Sequence, residues 1–87
     1  MKYSVTINKR AVKSLEKINE PDYSKIKDAM FNLAHNPRPA GCKKLKGRPS
    51  YRIRQGNYRI IYDIFDHILI VDVIAIGNRK DIYEQLI

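Results

Sequence analysis

The stretch Tyr51–Tyr62, YRIRQGNYRIIY, divides at Gly56-Asn57 into two runs of alternating side chains. Gly-Asn tolerates the positive φ that a two-residue hairpin turn requires, so the two runs read as antiparallel strands. The turn sets the register: Gln55 faces Tyr58, Arg54 faces Arg59, Ile53 faces Ile60, Arg52 faces Ile61 and Tyr51 faces Tyr62. Because successive side chains in a strand point to opposite faces, one face carries Tyr51, Ile53, Ile60 and Tyr62 and suits a core. The other carries Arg52, Arg54 and Arg59. Like charges directly across a sheet repel, and an anion bound between them would remove that penalty. A solvated basic face is the plain alternative.

Working outward, the segment before the hairpin, Pro37–Gly47 (PRPAGCKKLKG), reads as a loop by its proline and glycine content. It brings Lys43, Lys44 and Lys46 beside the arginines. From Ala29 to Tyr62 there is no Asp or Glu, while eight cations fall there: Arg38, Lys43, Lys44, Lys46, Arg48, Arg52, Arg54 and Arg59. That matches the formal net charge of +8 for the 87-residue chain, so the charge reads as a patch, and a polyanionic partner is expected. After the hairpin, Ile68–Gly77 (ILIVDVIAIG) is apolar on both parities except at Asp72, as suits a central strand covered on both faces. A buried partner such as an arginine, or a partly open position, would each account for Asp72.

Toward the N-terminus, Tyr3–Ile7 alternates and reads as a first strand with Tyr3, Val5 and Ile7 on one face. Asn8 is an N-cap for a helix over Lys9–Ile18 with an apolar stripe of Ala11, Val12, Leu15 and Ile18. Pro21 fits the first turn of a second helix, with Tyr23, Ile26, Met30 and Leu33 at three- and four-residue steps, ended by Asn36-Pro37. The expected fold is a single α+β domain over residues 1–87. A first strand and a two-helix hairpin precede an antiparallel meander, giving a four-stranded sheet with both helices on one face and the arginine face open. Residues Arg79–Ile87 read as a short helical turn or extended tail.

Several function classes find no support in the residues. No run is apolar enough to span a bilayer, the first residues lack the apolar stretch of a secretory signal, and Cys42 stands alone; a cytoplasmic protein with no membrane partner is the expectation. His35 and His67 are isolated from other metal-ligand types, and there is no phosphate-binding glycine loop, nucleophile elbow or CxxC pair, so neither a metal nor another cofactor is expected. Asp63 and Asp66 read as solvated hairpin acids. What remains is the arginine cluster with Arg79 and Tyr83, just past the last strand and able to reach the same face if that strand neighbours Arg59.

The basic LKG loop, YRIRQGNYRIIY, the strand ending in AIG and the following NRKDIY together resemble the RelE/ParE superfamily of bacterial and archaeal toxins, particularly its RelE branch. The resemblance covers nearly the whole chain. It implies a RelE-like, microbial ribonuclease-like fold and a type II toxin that cuts mRNA in the ribosomal A site, neutralised by a cognate antitoxin. By motif, the catalytic positions fall on Arg52, Arg54, Arg59, Arg79 and Tyr83, with Lys43, Lys44, Lys46 and Arg48 as RNA-binding cations. The implied partners are an acidic, amphipathic antitoxin segment, mRNA, the small-subunit rRNA of the ribosome, and operator DNA only through the antitoxin complex. The other branch implies a ParE-like inhibitor of DNA gyrase that cuts nothing.

The chemistry implied is metal-free in-line attack of a 2′-OH on the adjacent phosphorus, leaving 2′,3′-cyclic phosphate and 5′-OH ends. Arginine forks suit the phosphorane because they bind its oxygens bidentately. Two positions depart from the branch. Where lysines can occur, this chain has Arg52 and Arg54, which remain protonated at any neutral pH and cannot serve as bases. Where many relatives have histidine before the last arginine, this chain has Asn78. Any general-base role then falls to Tyr83, whose pKa the surrounding arginines should lower, or is dispensed with; without the histidine, Arg79 is left to stabilise the leaving oxygen by charge, and positioning by the ribosome carries more of the rate.

Overall fold

A computed structural model describes residues 2–78 and Ile82. Its elements run β1 (Ser4–Ile7), α1 (Lys9–Glu16), α2 (Asp22–Asn32), β2 (Lys43–Lys44), β3 (Tyr51–Gln55), β4 (Tyr58–Phe65), a single 3-10 turn (Asp66–Ile68) and β5 (Ile70–Asn78). They form one five-stranded mixed sheet in the order β1-β5-β4-β3-β2, with β1 parallel to β5 and every other pair antiparallel. The hairpin has the expected register at all five cross-strand pairs, and Gly56 alone supplies the positive φ, at 60°. A glycine with positive φ at the first central position, followed by an ordinary residue, matches the twist of the flanking strands.

The sheet has one strand more than the sequence suggests. Lys43 and Lys44, read as loop, pair with Arg52 and Tyr51 and form an edge strand. Two hydrogen bonds, the first of them buried, bring the segment there. The Tyr62 hydroxyl donates to the Pro37 carbonyl at 2.8 Å, and Leu45 N–H donates to the Ser50 carbonyl at 2.8 Å. Burial pushes the Tyr62 phenol well above its ordinary pKa, so the group stays protonated and available as a donor. Composition reports turn residues, and it is blind to a two-residue strand made by long-range pairing.

Both helices cover one face, as expected. Ala11, Leu15 and Ile18 from the first helical segment and Ile26, Met30 and Leu33 from the second pack with Ile53, Ile60, Tyr62, Val71, Val73 and Ile76 of the sheet. Tyr3, Val5 and Ile7 lie against this core on the predicted face of β1. The Asn8 side chain accepts from Ala11 N–H at 2.9 Å, fixing the start of α1, and α1 ends two residues earlier than expected. Val12 is half-buried and outside the core, because its position lies at the margin of the stripe that faces the sheet. α2 begins at Asp22, with Pro21 at the capping position.

The register between β4 and β5 shifts after Ile61, which pairs with Ala75 while Tyr62 pairs with Val73. Ile74 is the extra residue of this bulge. Without it the face assignment of β5 would invert along its length. With it, Ile76 and Val73 both reach the core while Ala75 and Asp72 both point to the outer face. Asp72 thereby finds its place: half-buried on the outer face and accepting from the Thr6 hydroxyl at 2.8 Å. It is the partly open position, with a hydroxyl instead of an arginine as its partner.

Candidate active site

Cross-strand registers arrange the outer face of the sheet in three rows. The first contains Arg54, Arg59 and Gly77. The second contains Lys43, Arg52, Ile61 and Ala75. The third holds Ser50, Asp63, Asp72 and Thr6, tied by hydroxyl donation from Ser50 to Asp63 and from Thr6 to Asp72.

The first row concentrates positive charge. Arg54 is exposed and directly opposite Arg59, which retains only 6% of its accessible surface. The Arg59 Nε is buried and has no hydrogen-bond partner, and neither arginine has an acidic partner among the described residues. The position across from Arg59 on β5 is Gly77, which has no side chain to lie over it. A buried guanidinium without a counter-charge is unfavourable. An anion beside the pair would supply the missing counter-charge, and charge-assisted hydrogen bonds to the guanidinium would be the strong ones.

The outer face is not fully open, contrary to expectation. Ile61 and Ala75 are fully buried in a small apolar cluster with Ile82, and Leu45 packs at its side. The physical reason lies in the hairpin itself: position 61 falls on the arginine face but is isoleucine, and exposed isoleucine beside alanine invites a cover. Ile82, three residues past Arg79 and one before Tyr83, supplies that cover. Arg79 and Tyr83 themselves lie outside the described residues.

The predicted RNA-binding cations separate. Lys43 shares the outer face with Arg52, whereas Lys44, paired with Tyr51, belongs to the opposite face at the sheet edge. Lys46 is exposed in the turn after β2, and the Arg48 Nε donates to Ser50 at 3.3 Å, beside the acidic row. Arg38 also leaves the patch. It pairs with Asp66 at 2.9 Å, and its guanidinium carbon stands 5.3 Å from the centre of the Tyr51 ring. Hydrogen bonds from Arg38 first and Tyr3 second hold the Asp66 carboxyl at about 2, below its ordinary 3.8. Asp66 is therefore an ion-pair partner, and Asp63 a half-buried acceptor, where the sequence reads both as solvated acids. Among the described residues no group of three or more His, Cys, Asp or Glu is placed to hold a metal ion, and no helix is long and apolar enough to cross a membrane.

Two features escaped the sequence reading: the apolar cover over Ile61, and a ridge of exposed lysines along α1 and its C-cap, Lys9, Lys13 and Lys17. The first had a signal, since Ile61 already stands opposite Arg52 in the hairpin register. The second was hidden by counting charge per segment when charge per surface was the relevant quantity.

Known proteins resemble this chain in both sequence and fold. The family model described as the ParE toxin of the type II toxin-antitoxin system parDE matches residues 5–83. The chain is 32% identical over 89 residues to the putative toxin RelE1 of Methanocaldococcus jannaschii, covering 98% of this chain and 99% of that protein. It is 26% identical over 92 residues to the mRNA interferase toxin RelE of Escherichia coli K12, covering 100% of this chain and 96% of the relative. The fold superimposes on the archaeal RelE-RelB complex from Pyrococcus horikoshii OT3 with a TM-score of 0.80 at 28% identity, over 91% of this chain and 97% of the matched one.

Proposed function

The chain belongs to the RelE/ParE superfamily of type II toxin-antitoxin toxins, and from that membership we propose that it is a ribosome-dependent endoribonuclease that cuts mRNA in the A site. The observation that carries this reading is Arg59: nine-tenths buried, its Nε unpartnered, and directly across from Arg54. A pure scaffold gains nothing from that pair, whereas a phosphorane with added negative charge satisfies both cations at once.

In the proposed reaction the message 2′-oxygen forms a bond to the adjacent phosphorus as the P–O5′ bond breaks. The 2′ proton passes to a base and the 5′-oxygen takes up a proton, leaving a cyclic phosphate and a 5′-OH. Arg59 and Arg54 bind the non-bridging oxygens and strengthen their hold as charge develops. Arg52 and Lys43, in the neighbouring row, track the backbone on either side. Ile82, between Arg79 and Tyr83 in the sequence, packs on Ile61 and Ala75 of the same face. In this reading Arg79 stabilises the leaving oxygen by charge, and Tyr83 stacks on a base or accepts the 2′ proton.

The relatives' names also support an antitoxin partner, since a RelE-RelB complex has the same fold. A groove of about 570 Å³ runs between α2 and the free edge of β3, lined by Ala29, Asn32, Leu33 and Asn36 on one side and by the Arg52–Arg54 edge on the other. An extended or amphipathic segment of the proposed antitoxin could lie along that edge, with the outer-face cations beyond it favouring an acidic one. Operator DNA would then be contacted through the antitoxin complex, with the free toxin binding DNA weakly and in a salt-sensitive way.

The ParE description of the family model favours a second reading, inhibition of DNA gyrase by binding alone. Messenger cleavage in a purified translation system, mapped by primer extension, separates the two. Cuts within A-site codons that require ribosomes and fall by about 10²–10³ in Arg59→Ala support the nuclease. Retained cutting in Tyr83→Phe moves proton transfer away from the phenol. A folded, growth-inhibiting wild type that cuts nothing removes the nuclease reading, and gyrase supercoiling becomes the assay.

A further inference from the structure

β2 pairs with β3 for only two residues, Lys43 with Arg52 and Lys44 with Tyr51. Just before it the chain turns at Gly41, with a φ of 89° that favours glycine, and the edge of β3 is left without a partner strand beyond Arg52. Strand alternation decides what that edge offers. Gln55 and Tyr58 flank the two-residue turn and exchange their backbone hydrogen bonds, so Ile53 and Tyr51 also direct theirs to β4. Ser50, Arg52 and Arg54 direct theirs the other way. The Ser50 carbonyl accepts from Leu45 N–H, and Arg52 pairs with Lys43. Arg54 has no strand beside it, and its N–H and C=O stand together at the groove of about 570 Å³ that it lines with α2. Leu33, Pro39 and Ile53 contribute apolar surface to that groove, exposed Asn32 lies on its α2 side, and no acid lines it.

We propose that this groove receives one unpaired base of the message while Arg54 and Arg59 hold the adjoining phosphate, so that the Arg54 backbone and Asn32 set a base preference beside the cut; the inference rests on the nuclease reading above. Arg54 belongs to both sites. Its side chain stands on the outer face opposite Arg59, and its backbone lines the groove. The spacing of one strand, about 5 Å, separates the two, which is within the reach of one nucleotide from phosphate to base. A donor and an acceptor side by side match the hydrogen-bonding edge of a base, the edge on which single-stranded RNA is read. A mostly apolar cleft with a few placed polar groups suits a small planar ligand. An extended peptide fits less well. Past Arg52, only Arg54 offers it hydrogen bonds before the turn at Gly56, whereas a base needs no more than that one pair.

The direct test is fluorescence anisotropy at low salt with a short labelled RNA, made uncleavable by 2′-O-methyl groups, and with versions of it in which one position at a time is abasic. With the wild type, one abasic position should weaken binding by about tenfold, the scale of one good base contact, and the others by less than about threefold. In Asn32→Ala that position should matter by less than about threefold. Asn19→Ala, which removes an exposed amide outside the groove, should behave as wild type. In the cleavage assay, primer extension should show a base preference beside the cut. Asn32→Ala should flatten it at unchanged kcat, and Asn32→Asp should redirect it toward adenine and cytosine, whose amino groups donate to a carboxylate.

Equal losses at every abasic position of the wild type's RNA overturn the base site. So does a loss in Asn32→Ala confined to binding of the co-expressed antitoxin, which makes the groove a peptide site. Ribosome-dependent cutting with the same site profile in the wild type, Asn32→Ala and Asn32→Asp removes the base site and leaves the nuclease reading standing. A wild type that cuts nothing yet binds the RNA with one Asn32-dependent position has the reverse meaning: the base site stands and the nuclease reading falls.

Discussion

Two pairs of like charges face each other across neighbouring strands on the outer face of this sheet, and the fold treats them in opposite ways. Asp63 and Asp72 are direct partners on β4 and β5, and each is given its own hydroxyl donor, from Ser50 and Thr6. Arg54 and Arg59 are direct partners on β3 and β4, and the more buried of the two has an Nε with no partner. The acidic pair is closed: its repulsion is offset from within, and nothing outside is required. The basic pair has no such internal donor or acceptor among the described residues, and under the proposed function an anion would relieve its repulsion. Like-charge juxtaposition therefore does not by itself mark a site; the provision of internal partners separates the two pairs.

The largest effect that tests this contrast is Arg59→Met. Cleavage should fall by about 10²–10³, while the unfolding midpoint in urea stays level or rises, since an unpaired buried cation is exchanged for a side chain that packs. A midpoint lowered along with activity would show that Arg59 supports the fold.

Next is the apolar row between the two pairs. Ile82→Ala should destabilise by about 2–4 kcal/mol if the packing over Ile61 and Ala75 is part of the cooperative fold. A smaller loss in the melt, with cleavage still strongly reduced, would mean that this packing opens separately from the core and serves to position Arg79 and Tyr83.

Ser50→Ala should have the converse effect to Arg59→Met. Removing the donor to Asp63 should lower stability by about 1–2 kcal/mol and leave cleavage within a factor of about three of wild type, a small effect on the rate scale. Combining it with Thr6→Val tests the closure of the acidic pair, because coupling between the two changes in a double-mutant cycle would show that the hydroxyls act together.

The smallest effect concerns Asp66, whose ion pair with Arg38 is exposed. Its pKa in the folded state is depressed to about 2 from 3.8, chiefly by hydrogen bonding to Arg38 and then to Tyr3. A depressed carboxylate stabilises the fold above its unfolded pKa and loses that contribution as the pH falls through the folded one. Stability should therefore decline between about pH 4 and pH 2 by an amount that Asp66→Asn makes smaller, read from urea midpoints at each pH. Exposure and salt screening keep the effect slight.

How much of this was legible beforehand depended on the range of the interaction. The hairpin register, the Asn8 cap and the core stripes of both helices are set by spacing within a few residues, and the chain declares them in its periodicity. β2 was not legible, because two lysines become a strand only through β3 and through the contact from Tyr62 to the Pro37 carbonyl. The bulge at Ile74 was equally hidden, since a run that is apolar on both parities gives no sign of where its faces exchange. The same holds for charge. Composition located the cations but could not tell that Arg38 is spent on Asp66, that Lys44 turns away from Arg52, or that α1 bears a ridge of its own.

The sequence by itself determined the two helices, the hairpin and the face on which Arg52, Arg54 and Arg59 stand, because turn chemistry and the periods of helix and strand are local. Only the tertiary structure decided which of those charges has a partner. Hydrogen bonds from Thr6 to Asp72 and from Ser50 to Asp63 join residues 66 and 13 positions apart, and burial of Arg59 arises only once the sheet is assembled. Pairing and desolvation are properties of the packed molecule, and no local pattern along a strand encodes them.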